Sequence, residues 1–390
     1  MNELERVVVV GASLAGTTVV DTLRRLGYAG SVTLIGAERH PAYNRPALSK
    51  GVVAGTDGLD DIVLPPPSGE VDQLIGTPAV ALHADRKEVV LAGGDRIRYD
   101  GLVIATGARA RRLADLGAAD PGVQETTFRD LDDAHRLSAL LATRPHVVIV
   151  GAGILGMELA SACVDRGATV TVVDRQPPLL GQLGPYLADL LITAAARRRV
   201  RFAHHPGGVR LRGTSGPPAV ELADGRRFAG DHVLSAVGCA AETGWLASSG
   251  LAGAHGLVVD TRCRVAPGIV AAGDVVAFPS AAGPRRTPWW HSALEQARTA
   301  ARALLHGDDA PPLTPSPYFW TDQFGMRVRV AGLLPAAGRP AVVDGSLPDD
   351  EPWAGSALLR WPGRGVAAAV NRRIPIGRLR ALAQLEPAGT

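Results

Sequence analysis

The stretch "HVVIVGAGILGMELASACVDRGATVTVVD" runs from His146 to Asp174. An apolar run passes directly into Gly151, Gly153 and Gly156, and a second apolar run ends in Asp174. Apolar runs without polar alternation are expected of strands covered on both faces, so the pattern predicts strand, tight turn, helix and parallel strand. The first glycine makes the turn. The middle one lets a pyrophosphate approach the backbone, and the last lets helix and strand pack closely. The helix N-terminus, from Ile154 and Leu155 onward, offers free N–H groups to the anion, and the acid at the second strand's end binds a ribose hydroxyl.

The same unit occurs earlier. "RVVVVGASLAGTTVVDTLRRLGYAGSVTLIGAE" spans Arg6 to Glu38. It keeps Gly11 and Gly16, places Ser13 at the middle position, follows with Leu14 and Ala15, and ends in Glu38. Two such units imply two dinucleotides, most economically a flavin and a nicotinamide. "DGLVIATGAR" (100–109) reads as a strand closing on a Thr-Gly turn. "VAPGIVAAGDVVAF" (265–278) reads as a strand ending in Gly273-Asp274. That aspartate either accepts a hydrogen bond from a ribityl hydroxyl or caps a turn.

Bulk properties suit a chain of two or three domains with a sizeable core. The chain has 390 residues, of which 46% are hydrophobic. A net charge of +3 does not suggest a general nucleic-acid binder. Lys50 and Lys87 are the only lysines among 41 basic residues, so 41 − 2 = 39 are arginines. Cys163, Cys239 and Cys263 form no CxxC or CxxxxC pair and read as buried, inert thiols, with no metal site. No stretch is long enough to span a bilayer, and the N-terminus enters an apolar strand without a signal-like segment. A cytoplasmic location is expected.

The segment "HPAYNRPALSK" (40–50) is too irregular for an ordinary helix or strand. Pro41 and Pro46 fix φ and remove donors, which predicts an extended path that pairs with no sheet. This segment, with "GASLAG", "IATGARARRL", "GAGILGMELA", "AAGDVVAF" and "PYFWTDQFG", resembles the oxygenase-coupled, NADH-dependent ferredoxin reductases of the putidaredoxin reductase type. The likeness runs from Arg6 to about Ala383.

The resemblance implies FAD on the first unit and NADH on the second. It places Arg45 near the flavin phosphates and Lys50 at the isoalloxazine ring, where a cation offsets the charge of reduction. It adds Val80, Ala105, Thr106, Gly107, Arg111, Gly238, Gly273, Asp274, Trp290, His291 and Trp320 to the cofactor contacts. Glu158 would face the nicotinamide and approach Lys50; the plain reading of an acid there is dipole complementation. Lys50, Glu158 and Trp320 are the expected catalytic residues. Asp174 disfavours a 2′-phosphate and so favours NADH, while Arg175 leaves room for NADPH. Gln296 fits the pattern; Ala47, and Pro288-Trp289 in place of Glu-His, depart from it.

The expected fold is α/β, with two Rossmann-like dinucleotide domains and a smaller α+β C-terminal domain. The boundaries are 1–112 and 242–312 for FAD, 113–241 for NAD, and 313–390 for the interface domain. Lacking a thiol relay, the chain is expected to pass electrons from NADH through FAD, by hydride and then single-electron steps, to an iron–sulfur ferredoxin. That ferredoxin would serve a cytochrome P450 or ring-hydroxylating oxygenase. The protein would be a monomer or weak homodimer, without nucleic-acid or membrane partners. Arg360, Arg364, Arg372, Arg373, Arg378 and Arg380, with Arg285 and Arg286 in a loop, suggest a basic docking face. The alternatives are an NAD(P)H oxidase or small-molecule reductase, and a flavin redox sensor resembling apoptosis-inducing factor.

Overall fold

The computed structural model describes residues 4–213, 217–253 and 255–384. The chain forms two compact units: Met1–Asn44, Leu59–Arg109 and Ala240–Ser316 make the first, and Arg45–Gly58, Ala110–Cys239 and Pro317–Thr390 the second.

In the first unit, strands Asp72–Ile75, Ser31–Gly36, Arg6–Val10, Gly101–Ile104 and Ile269–Ala271 lie side by side and parallel, with Arg264–Ala266 antiparallel at the edge. Val7, Val8, Val9, Leu102, Val103 and Ile104 are essentially inaccessible, as expected of a sheet covered on both faces. The Leu14–Arg25 helix buries Val19, Val20 and Leu23, and the Trp290–His306 helix buries Ala297, Ala300 and Ala301, all in one core. Small residues on the second helix let the two backbones approach.

The second unit contains a parallel sheet of Arg201–His204, Thr169–Asp174, His146–Val150, His232–Ser235 and Thr126–Thr127. The Ile154–Asp165 helix, apolar nearly all round, packs on it and on a five-stranded antiparallel sheet. That sheet runs Tyr318–Gln323, Met326–Ala331, Val366–Val370, Ser356–Trp361 and Ala341–Ser346. The Ile376–Gln384 helix buries Leu379 and Ala383 against it.

The two parallel halves repeat one another bond for bond. Gly11 N–H donates to Ile35 O, and Gly151 N–H to Val173 O, both at 2.8 Å. Ala105 N–H donates to Val10 O, and Ala236 N–H to Val150 O, both at 2.7 Å. Both helices end on a left-handed glycine, Gly27 (φ +85°) and Gly167 (φ +83°). In each, the following residue donates back across the last turn, Tyr28 to Leu23 and Ala168 to Cys163, both at 3.0 Å.

Three local expectations need correction. The 265–278 stretch is not one strand: Pro267 and Gly268 (φ +70°) turn Arg264–Ala266 back on Ile269–Ala271, and Val276–Phe278 belongs to another sheet. Arg285 and Arg286 form a short strand against Val276–Phe278 rather than a loop. The segment after His40 is extended only to Asn44, and it does pair: Tyr43 bridges Val63 in antiparallel fashion, with Asn44 N–H donating to Ile62 O and Leu64 N–H donating to Ala42 O. From Arg45 the chain is helical, a 3₁₀ turn over Arg45–Ala47 followed by a π-helical turn over Leu48–Val52. Pro46 is tolerated because it falls in the first turn, where its missing N–H would have no acceptor.

Candidate functional site

The first unit carries one nucleotide cradle. A Cβ on Gly11 would lie 2.1 Å from Ala105 O, and one on Gly16 would lie 1.8 Å from Gly11 O. Both positions therefore require glycine for packing alone. Ser13 is the N-cap of the Leu14–Arg25 helix, but its side chain makes no cap bond. The backbone N–H groups at Leu14, Ala15 and Gly16 open the helix, where no preceding turn supplies acceptors. Glu38 follows the end of the Ser31–Gly36 strand, and its carboxylate accepts a bond from Tyr43 Oη.

Three further segments converge on this turn. Thr106 Oγ1 donates to Glu242 O at 2.7 Å and Gly107 O accepts from Glu242 N–H at 3.0 Å. Gly273 N–H donates to Gln296 Oε1 at 2.9 Å, and a Cβ on Gly273 would lie 3.1 Å from Ala15 Cβ. Asp274 is thereby held beside the first turn of the Leu14–Arg25 helix. Its own carbonyl accepts from Arg286 Nε at 2.9 Å. Trp290 and His291 open the Trp290–His306 helix, with His291 Nε2 3.2 Å from Glu295 Oε1. Val80 lies exposed at a bulge in the Ala79–His83 strand. The glycine turn, a free helix start and a strand-end acid fit a dinucleotide pyrophosphate and ribose.

The second unit carries the matching cradle. Cβ atoms on Gly151 and Gly156 would meet Ala236 O at 2.4 Å and Gly151 O at 1.9 Å. Gly153 caps the Ile154–Asp165 helix, and Leu155 is partly open to solvent. Asp174 accepts bonds from Ala152 N–H, within the glycine turn, and from Arg175 and Gln176 N–H. Its carboxylate is thus fixed at the turn's mouth, where a ribose would lie. Arg111 is exposed and its N–H donates to Gly238 O at 3.0 Å. Arg45 Nη1 donates to Arg129 O at 2.8 Å.

Lys50 and Glu158, 108 residues apart, meet in this unit. Lys50 Nζ lies 2.7 Å from Glu158 Oε2 and 3.1 Å from Pro46 O. Glu158 is 5% exposed, so dipole complementation at a solvated helix start does not describe it. Ser49 Oγ donates to Oε2 at 2.6 Å, and Thr321 Oγ1 donates to Oε1 at 2.7 Å. A buried carboxylate needs such donors, because desolvation without them is costly. Ser49, in "HPAYNRPALSK", and Thr321, in "PYFWTDQFG", are not among the expected site residues, although both motifs carry the family resemblance. Trp320 faces the other way on its strand, against the core of Tyr318, Leu358 and Leu379, with its ring 6.0 Å from that of Tyr318.

Cys163 and Cys263 are buried, and burial pushes both thiols up to about 12. Cys239 is only half-buried, because it opens the Cys239–Ala241 strand instead of lying in a core helix. The C-terminal arginines do not make one open patch. Arg364, Arg373 and Arg378 are exposed, Arg372 pairs with Asp344 at 2.5 Å, and Arg360 and Arg380 bury guanidinium nitrogens under the domain. Among the described residues no helix is long and apolar enough to cross a membrane.

Two parallel halves, each with a pyrophosphate-shaped glycine turn, define a protein of the class that holds two dinucleotides at once. The chain belongs to the pyridine nucleotide-disulphide oxidoreductase family, whose model matches residues 5–303. It is 36% identical over 343 residues to a probable ferredoxin reductase of Castellaniella defragrans, covering 85% of this chain and 83% of that one. It is 32% identical over 339 residues to the ferredoxin–NAD(+) reductase component of a 3-phenylpropionate/cinnamic acid dioxygenase of Photorhabdus laumondii, covering 84% of each. Among solved structures it superposes on the covalent putidaredoxin reductase–putidaredoxin complex with a TM-score of 0.81 at 26% identity, covering 97% of this chain and 93% of that one. The resemblance drawn from the motifs is thereby confirmed.

Proposed function

We propose that this chain is an FAD-dependent ferredoxin reductase that takes electrons from NADH and delivers them to a small iron–sulfur ferredoxin of an oxygenase or cytochrome P450 system. The observation that carries the reading is the pair of equivalent cradles in a chain without a CxxxxC relay, whose relatives are named as ferredoxin reductases. FAD, when bound, accepts two electrons from NADH and releases them singly. The chain's residues bind, orient and shield. In this reading the 1–112 and 242–312 segments hold FAD through Gly11, Ser13, Gly16, Glu38, Thr106 and Asp274. Residues 113–241 hold NADH through Gly151, Gly153, Gly156 and Asp174, and 313–390 form the interface domain. Lys50 supplies a fixed cation at the flavin ring, and Glu158 holds it there. The buried thiols of Cys163 and Cys263 suit a reducing compartment, and the site of action is read as the cytoplasm.

Asp174 gives this reading a cofactor preference. Three backbone donors hold its carboxylate at the glycine turn, so it would not swing away from a 2′-phosphate there. NADH should be preferred to NADPH by roughly ten- to hundred-fold in kcat/KM, equivalent to about 1–3 kcal/mol. Asp174→Ser should narrow the gap, with the exposed Arg175 available to the phosphate. Equal use of both cofactors by the unaltered protein would contradict the assignment.

The partner leaves a second mark. Exposed Arg364, Arg373 and Arg378 would attract an acidic ferredoxin, and that attraction is screened beyond a Debye length of roughly 10 Å at about 0.1 M salt. Ferredoxin-dependent turnover should fall steeply as salt rises, while turnover with ferricyanide should not fall in parallel. Parallel decline would point to an effect on the enzyme rather than on docking.

A further inference from the structure

We infer that Thr321, oriented by Gln323, is the residue that positions the Glu158–Lys50 pair, and so decides where the cation stands. Thr321 and Gln323 are two apart on the Tyr318–Gln323 strand and therefore share a face. Gln323 Nε2 donates to Thr321 Oγ1 at 2.9 Å, and Thr321 Oγ1 donates to Glu158 Oε1 at 2.7 Å. A hydroxyl carries one proton. With Gln323 filling an acceptor site on Thr321, that proton is directed to the carboxylate. The other oxygen, Oε2, takes Ser49 and Lys50. The carboxylate is thus an acceptor at both ends, and its plane is fixed by three groups from two separate elements, the Leu48–Val52 turn and the Tyr318–Gln323 strand. Burial makes the arrangement rigid: Ser49, Thr321 and Gln323 are 4%, 0% and 3% exposed. A fourth tie, Phe324 N–H to Ser161 Oγ at 2.7 Å, clamps the strand's end to the same helix. Thr321 is closed to solvent, so its loss would remove the donor to Oε1 and let the carboxylate rotate, carrying Lys50 with it.

The inference rests on the reading of Lys50 as the flavin's cation, but its test need not. The chain has only two lysines, and Lys87 is exposed. In FAD-loaded protein labelled with ¹⁵N-lysine, the Lys50 ammonium should give a protected cross-peak near neutral pH, assigned with Lys87→Arg. In Thr321→Val that cross-peak should broaden beyond detection, and in Thr321→Ser, which keeps the hydroxyl, it should remain. Gln323→Leu should weaken it, which keeps the question decidable if Thr321→Val does not fold. The limiting rate of flavin reduction should fall about tenfold in Thr321→Val, as expected of a displaced catalytic group, with NADH affinity little changed. A Lys50 signal unchanged in both Thr321→Val and Gln323→Leu would overturn the inference. A lost signal in a protein that never passes electrons to a ferredoxin would leave Thr321's role standing and sink the functional reading instead.

Discussion

Lys50→Met should slow reduction of bound FAD by NADH by on the order of 100-fold, while NADH affinity changes little. Removing one preorganised charge from a site where charge develops typically costs about 2.7–4 kcal/mol of barrier, and the loss falls on the chemical step rather than on binding. Methionine keeps most of the stem's length and apolar packing, so the protein should still fold. It does leave Glu158 with Ser49 and Thr321 as donors and no counter-ion in a 5%-exposed position. A modest loss of stability should therefore accompany the kinetic defect. Stopped-flow absorbance of the flavin band separates the two, because only the limiting rate reports on the ring. An unchanged limiting rate would remove Lys50 from the reaction.

Gly16→Ala should yield no yellow holoprotein. The new Cβ would lie 1.8 Å from Gly11 O, a backbone atom that cannot turn aside. Gly11 is itself locked, since its N–H is bonded to Ile35 O and its Cα abuts Ala105 O. Relief would require the Leu14–Arg25 helix to move off the central strand, a disruption on the order of 3 kcal/mol or more. The same movement would carry the helix N-terminus away from the pyrophosphate. Gly156→Ala meets the same obstacle at 1.9 Å from Gly151 O and should abolish NADH binding, provided the chain folds. FAD content after gel filtration reads the first, and NADH titration of the flavin spectrum reads the second. Gly16→Ala protein with full FAD would show that the turn relaxes more than its bonds imply.

The parallel halves were legible because their pattern is local. Four or five apolar residues entering a glycine turn leave little freedom, and the two copies share a turn, a helix cap and a strand-end acid. Asp100 and Asp231 show how far the repetition extends: each accepts from the first strand's opening N–H, at Arg6 and His146. The 40–50 segment was read less well. Proline density suggested an extended path, but Pro46 sits where a helix accepts proline, and Ala47 lets the turn continue. The Lys50–Glu158 contact was anticipated from a family likeness rather than from spacing, since nothing local joins residues 108 apart. Thr321 was missed because a hydroxyl in a strand has no signature until its face is known. Trp320, an aromatic in the same motif, drew attention while turning to the other side.

The central claim is that electrons enter from NADH and leave to a ferredoxin without a thiol intermediate. Its most direct test is cytochrome c reduction by purified, FAD-loaded protein with NADH, with and without an oxygenase-type iron–sulfur ferredoxin, before and after alkylation of accessible thiols. The account predicts slow reduction without ferredoxin, a large stimulation with it, and no loss on alkylation. Rapid NADH consumption that no ferredoxin accelerates, with the electrons going to oxygen or a small acceptor, would contradict it.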